Sequence, residues 1–471
     1  MDEIINNQIE EKKQKTLKYS IQEGSATAVM SGAGEAYITP FALALNASNA
    51  QVGFLSSFVG LFGASAQIIG SKLVYRYKRK KLIVLFVALQ ATIWLLLALL
   101  GILAWKGIIN GVAASILILI YSLYSILGNF AGPPYFSLMG DLVPEKKRGA
   151  YFSRKSKIVG AVALVVTFFS ALFLDYSKQA GLLMLGFITL FILSSAGRYI
   201  STFLFTKHYE PESKMEKGSY FSFWQFIKKA PHNNYGKFVF YIAFINFAVN
   251  FSGPFFAVYM LKDLSFNYLT FTLVNIAGSL FTIIFLPLWG KIGDIYGNKK
   301  LLAVCSVIIT INPILWLLSP NPLYLIFFVQ LVSGLGWAGF NLGASNFIYD
   351  AVTPQRRAIC VAYHTFISGI GVFLGASLGG LFAQYIGLKF INIFLLIFLI
   401  SGILRGIASL IFIPMIKEVR KTPPPSEKLS FITYLTLITP HAFYTAFRGI
   451  RNNLSFISES KAGKEKIPEL M

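Results

Sequence analysis

Charge and cysteine are what this chain has least of. Only 13% of its 471 residues are charged, while 55% are hydrophobic, a balance that excludes an ordinary water-soluble domain. Two cysteines, Cys305 and Cys360, fall in or beside apolar runs, so neither a disulfide framework nor a cysteine metal cluster is indicated. Acidic residues number 20 against 42 Lys and Arg, and only Glu35 lies deep within an apolar run. There is no nucleophile elbow, no phosphate-binding Gly loop ending in Lys-Ser or Lys-Thr, and no His/Glu metal spacing. No enzyme activity, cofactor or metal is therefore expected, and ATP-driven pumping would require such a loop from a partner.

What the chain has in abundance is long apolar stretches. Twelve are expected to span a membrane: 21–45, 51–74, 82–104, 111–136, 157–176, 181–206, 236–261, 268–290, 300–318, 322–346, 358–385 and 388–415. Each is long enough to cross a hydrocarbon core of about 30 Å. None shows the dyad alternation of a barrel strand, and only helices or closed barrels satisfy their backbone in lipid. The expected fold class is an all-α membrane protein.

The net charge of +22 does not point to nucleic acid, because the basic residues cluster in alternate loops. Lys72, Arg76, Lys78, Arg79, Lys80 and Lys81 make one cluster; Lys146, Lys147, Arg148, Arg154, Lys155 and Lys157 make the next. Lys291, Lys299, Lys300, Arg356 and Arg357 follow in phase, whereas the opposite loops carry mainly Lys106, Lys178, Lys262 and Lys389. This asymmetry places both termini in the cytoplasm of a cell-membrane protein and sets the basic face against anionic headgroups. The N-terminal stretch leads into a span of the repeat and does not read as a cleaved signal peptide. Asn46-Ala47-Ser48 fits a glycosylation sequon by chance in a very short turn.

The chain repeats itself. Asp141-Leu142-Val143-Pro144-Glu145-Lys146-Lys147-Arg148 returns as Asp350-Ala351-Val352-Thr353-Pro354-Gln355-Arg356-Arg357, with the proline displaced by one. Ser194-x-x-x-Arg198-x-Ile200 returns as Ser401-x-x-x-Arg405-x-Ile407, and Gly70 with Arg79-Lys80 as Gly290 with Lys299-Lys300. Ser222-Phe223 leading to Pro231-His232 returns as Ser430-Phe431 leading to Pro440-His441. The expected division is a lead (1–17), a first six-helix bundle (18–206), a linker with an interfacial helix (207–235), a second bundle (236–416) and a tail with a second interfacial helix (417–471). Two parallel repeats in a membrane usually carry a solute site where they meet.

At these residues the chain resembles the major facilitator superfamily (MFS) of transporters. Gly290-x-x-x-Asp294-x-x-Gly297-x-Lys299-Lys300 is similar to the signature between that family's eighth and ninth helices. Asp141-x-x-Pro144-x-x-x-Arg148-Gly149 is similar to the signature after its fourth. The resemblance covers nearly the whole chain and implies two pseudo-symmetric six-helix bundles rocking around a central cavity. The first-half copy departs from the pattern: Val74 stands where Asp is wanted and Tyr77 where Gly is wanted. The latch of that half is therefore expected to be absent, leaving the cytoplasmic gate dependent on Asp294. The fifth span lacks the Gly-Pro of drug/proton antiporters, which disfavours that branch.

Glu35 is the expected proton-coupling site or a hook for a cationic group, since a carboxylate at that depth must be paired, hydrated or protonated. It precedes Pro40-Phe41, as Asn250 precedes Pro254-Phe255 in the second half, with Asn246 a turn earlier. Prolines within spans free carbonyls and bend helices near transport sites. Tyr37, Asn129, Gln330, Trp337, Asn341 and His364 complete the candidate substrate and proton cavity, as hydrogen-bonding or stacking groups. Each has an ordinary alternative as a helix–helix contact. Asp141, Arg148, Arg198, Asp294, Arg357 and Arg405 are the candidate cytoplasmic gate, and Gly371-x-x-x-Gly375-x-x-x-Gly379 a close-packing face. The function expected is secondary transport of a small solute by alternating access, by a chain able to work as a monomer. The alternative is a receptor or scaffold on the same fold, signalling through its tail.

Overall fold

The computed structural model describes residues 2–74, 76–144, 148–211, 222–387 and 392–420. Among them every regular element is helical. The second interfacial segment, from Ser430, and the end of the tail lie outside the described residues, as do Lys146 and Lys147.

The first crossing is α1 (Asp2–Ala33), a 3₁₀ turn (Glu35–Tyr37) and α2 (Ile38–Ala44). Then α3 (Asn49–Leu73), α4 (Arg79–Trp105), α5 (Ala113–Leu142), α6 (Arg148–Gln179) and α7 (Leu183–Thr206) run up and down in turn. A short α8 (Phe223–Lys229) leads to the second set: α9 (Asn234–Val258), α10 (Tyr268–Tyr296), α11 (Asn298–Leu315) and α12 (Pro322–Tyr324). A π-helical turn (Leu325–Val329) joins α12 to α13 (Gln330–Ala351), and α14 (Pro354–Tyr385) and α15 (Ile393–Met415) follow. Eleven of these helical stretches are long and apolar enough to cross a membrane. The remaining expected span, 21–45, is interrupted and is not among the eleven; the protein is an all-helical, multi-pass membrane protein.

The break has a local cause. Trp94 and Ser194 press on Gly34, where a side chain would overlap the indole ring. The helix ends there and restarts at Ile38 with a different phase. Elsewhere the short loops are closed by caps that the sequence supplies. Ser48 and Gln51 form a reciprocal box at the start of α3, Ser222 and Gln225 one at α8, and Asn233, Asn267 and Asn392 cap α9, α10 and α15. Gly297, at φ +88°, turns the chain between α10 and α11.

The buried apolar residues fall into three groups whose placement fixes the shape. One group spans both halves at the end remote from the basic loops, and includes Phe41, Trp94 and Phe187 with Phe255, Tyr268 and Phe398. At the basic end the core divides. Phe238, Trp289 and Phe347 belong to a second-half cluster, and Leu138, Met139 and Phe205 to a first-half one. The two halves are thus packed together on one side of the membrane and separate on the other.

Helix α14 is the hub of this packing, lying against α9 of its own half and α3 of the other. The expected glycine face is real. Gly371, Gly375 and Gly379 sit directly on the carbonyls of Ala243, Phe247 and Phe251, so any Cβ there would overlap backbone. Across the halves, Gly53 of α3 meets Gly380, and Gly60 meets Gly369 and Val372.

Candidate functional site

A cavity of about 350 Å3 opens among α1, α3, α4, α5 and α7, with Glu35, Arg198, Gln90, Tyr124 and Asn129 on its wall. Glu35 reaches it because the break at Gly34 ends α1 and turns the residue out of the helix stack. Its side chain is exposed, and its carboxylate accepts a hydrogen bond from Tyr124 Oη at 2.5 Å. The carboxylate's requirement is thus met by a charge-assisted hydrogen bond and an open cavity.

Arg198 brings the opposite charge to the same cavity. It is buried; its Nε donates to Gln90 Oε1 at 2.8 Å and its Nη1 to Thr27 Oγ1 at 2.9 Å. Thr27 donates in turn to Glu23 Oε1 (3.1 Å), which also accepts from Ser201 (3.3 Å). Lys155 Nζ lies 3.4 Å from the other Glu23 oxygen and donates to Ser20 at 2.8 Å. A guanidinium is therefore held by neutral groups, with its nearest charge compensation relayed through one hydroxyl. This leaves it able to attract an anionic group entering the cavity.

Asn129 lies on the same wall, half-buried and donating to Ser125 O at 2.9 Å. Tyr37 is not on this wall. It is buried, donates to Thr167 O at 2.6 Å and shares a hydrogen with Thr272 Oγ1 at 3.0 Å, tying the first half to the second. The second-half candidates do not line the cavity either. Asn246 and Asn250 donate to the carbonyls of their own helix, Ile242 and Asn246, at 3.0 and 2.9 Å. Helix α9 continues through Pro254, so the parallel between the two Pro-Phe pairs stops at the backbone break. Gln330 packs on Gly278, Trp337 stands edge-on to Phe340, and the His364 ring stacks on Phe238. Asn341 is exposed.

Among the described residues, the hydrogen bonds between the halves lie at the end remote from the basic loops. Asp175 at the end of α6 accepts from the backbone N–H groups of Tyr268 and Leu269 at the start of α10, both at 2.8 Å. Asn49 donates to Ala383 O at 3.2 Å and Lys262 to Ala47 O at 3.3 Å. The candidate gate residues are instead engaged within their own halves. Asp141 pairs with Arg79 at 2.5 Å, and Asp294 with Arg420 at 2.8 Å. Arg148 donates to Gly140 O and Arg357 to Tyr349 O. Arg405, the repeat of Arg198, is 2% exposed; it donates to Ile309 O at 2.9 Å and to Ser252 Oγ at 3.3 Å.

The repeat extends to contacts the sequence did not advertise. Glu210 accepts from Arg79 N at 2.8 Å, and Glu418 from Lys299 N at 2.7 Å, so a carboxylate after the last helix of each half caps the third. Asp141 likewise meets Arg79, and Asp350 accepts from Asn298 at 2.7 Å. Gln90 and Asp175 were findable as polar residues in or at the end of apolar runs. Tyr124 and Thr27 carried no signal separating them from ordinary membrane-helix residues.

Comparison with known proteins agrees with this architecture. The Major Facilitator Superfamily model matches residues 238–458. Vacuolar basic amino acid transporter 1 of Saccharomyces cerevisiae is 31% identical over 103 residues, 22% of this chain and 18% of that protein. Multi-drug resistance efflux pump PmrA of Streptococcus pneumoniae is 27% identical over 172 residues, 35% of this chain and 40% of the pump. The matched stretches thus span less than half of these relatives. Among solved structures, nucleoside transporter NupG superposes with a TM-score of 0.59 at 15% identity, covering 86% of this chain and 98% of that one. A bacterial homolog of the human lysosomal transporter Spinster, inward-facing and unoccupied, gives 0.58 at 16% identity, over 88% and 99%. The family model thus matches much of the second half of the chain, and the solved transporters share its fold across both halves.

Proposed function

We propose that this protein is a secondary transporter moving a small polar solute by alternating access, with Glu35 as its proton-coupling group. The observation that carries the reading is the cavity in which an exposed carboxylate, held by Tyr124, shares a wall with a guanidinium held by Gln90 and Thr27. A site with one group of each sign suits a solute able to accept from Arg198 and to donate to Glu35. Protonation of Glu35 removes its charge and frees Tyr124 to reorient, so proton and solute compete for one small network.

The two six-helix halves, 18–206 and 236–416, are the moving bodies. With the basic loops in the cytoplasm, the packed side is the outer one and the conformation described is inward-facing. Asp141, Arg148, Asp294 and Arg357 then stand at an open inner gate, each satisfied within its own half until the halves close. The small-residue crossing of α3 and α14 is a surface on which such bodies can pivot. The relatives named as transporters support this class of activity. Purified protein in proteoliposomes, screened for counterflow with labelled sugars, organic acids, nucleosides and amino acids, tests the proposal. Uptake of a solute that requires both Glu35 and Arg198 is the expected result; no exchange of any solute by protein whose folding is verified would overturn it.

A further inference from the structure

The first-half basic loop, which has lost the family pattern, borders a recess of about 1130 Å3 between the start of α4 and the end of α7. We propose that this recess binds the headgroup of an anionic phospholipid, with one acyl chain lying along α4. Arg76, Lys78 and Lys81 on its rim are exposed, and with Lys80 their side chains make no hydrogen bond or ion pair to any described residue. The floor is already neutralised: Arg79 is held by Asp141 at 2.5 Å and lies 3.6 Å from Glu210. Four unpaired cations around an occupied floor form an anion site, and the phosphate of a lipid has the charge and acceptor oxygens to fill it.

Two observations favour a lipid over a free phosphate. The recess continues from its basic rim onto Val84, Leu85 and Ala88, and Leu85 is exposed on the face of α4 that turns to hydrocarbon. An acyl chain is the part of a ligand that needs that strip. The second half supplies the contrast. Each half caps its third helix with a carboxylate, Glu210 or Glu418, but in the second half Glu418 also packs over Gly297 and Arg420 pairs with Asp294. In the first half Tyr77 replaces the glycine and Val74 the aspartate, the tyrosine stands exposed, and the cations are left for an external anion.

The test uses full-length protein in nanodiscs of equal phosphatidylglycerol and phosphatidylcholine, released for native mass spectrometry. Wild type should retain phosphatidylglycerol in preference to phosphatidylcholine. The triple variant Arg76→Gln, Lys78→Gln, Lys81→Gln should bind it roughly 100-fold more weakly, at about a fivefold loss per basic residue. All three positions are exposed, and Lys228→Gln with Lys229→Gln, which removes two positive charges on α8, should keep the adduct. Unchanged retention in the triple variant, or equal loss in the α8 control, overturns the site. Glycerol 3-phosphate added to the wild type separates the sources: displacement only in large excess supports a lipid, and displacement at equal concentration overturns it.

Discussion

The carboxylate of Asp175, in the first half, caps the first turn of α10 in the second by accepting from Tyr268 N and Leu269 N, each at 2.8 Å. A carboxylate against a helix N-terminus contributes about 0.3–1 kcal/mol, and up to about 2 when partly buried. Because the two groups belong to different halves, the proposed alternating access would keep that energy only while this side is closed. Asp175→Asn should shift the resting population toward opening of this side by roughly twofold to fivefold, and by up to about thirtyfold at the upper value. Spin labels at Ile108→Cys and Leu318→Cys, both exposed at this end, should show a larger long-distance fraction in the variant. An unchanged distance distribution would remove Asp175 from the gate.

Arg405 is a buried cation whose partners in the described structure are a backbone carbonyl and a serine hydroxyl, and its Nε has none. A buried charge without a counter-ion costs stability, and an apolar residue of similar volume often stabilises by about 1–4 kcal/mol. Arg405→Met should therefore raise the melting temperature while abolishing transport, since a costly residue of this kind is retained for what it meets in another state. A lowered melting temperature would make Arg405 a structural strut instead.

Gly375 lies on the carbonyl of Phe247 with no room for a methyl group, whereas nothing stands within 4 Å of a Cβ built on Gly160. Gly375→Ala should separate α14 from α9 and cost about 1–3 kcal/mol. Gly160→Ala should be neutral or stabilise by up to about 1 kcal/mol through helix propensity. Unfolding in a mild-to-harsh detergent series ranks the two; equal behaviour would contradict the close packing described.

His208, just beyond α7, is buried; its Nδ1 bonds Leu204 O at 2.9 Å, and its Nε2 has no partner. Burial holds its pKa below the ordinary 6.5; the Leu204 carbonyl and Glu23 oppose that shift, while Lys155 and Lys80 reinforce it. The unfolded chain thus takes up a proton before the folded one does. The contribution of neutral His208 is complete above pH 6.5 and is lost as pH falls through that value toward the lower folded one. The melting temperature should fall with acidity over that window, and His208→Phe, which keeps the ring packed on Phe205, should flatten that part of the curve.

Hydropathy, the alternation of basic loops and the internal repeat made the membrane class and helix order legible, because in lipid these patterns are physical requirements. The Gly371–Gly375–Gly379 face was equally readable, since small residues one turn apart have few other uses in a span. Glu35 and Asn129 were legible as polar residues that apolar surroundings make costly. What failed to show was geometry. Asn246 and Asn250 satisfy themselves on their own helix, which spacing cannot distinguish from facing a cavity. Tyr37 looked like a neighbour of Glu35, but the turn between them sends one to the cavity and the other to the seam between halves. Arg198, a candidate gate residue by its repetition, lies on the cavity wall, a position that repetition alone does not reveal.

The most direct test of the central claim is solute accumulation in proteoliposomes under an imposed pH gradient, comparing wild type with Glu35→Gln. The substitution keeps a hydrogen-bond acceptor for Tyr124 and removes the titratable charge. The account predicts that wild type concentrates its solute against a gradient only when protons flow, and that Glu35→Gln still exchanges solute at equilibrium but no longer concentrates it. Undiminished proton-driven accumulation by Glu35→Gln would contradict the account.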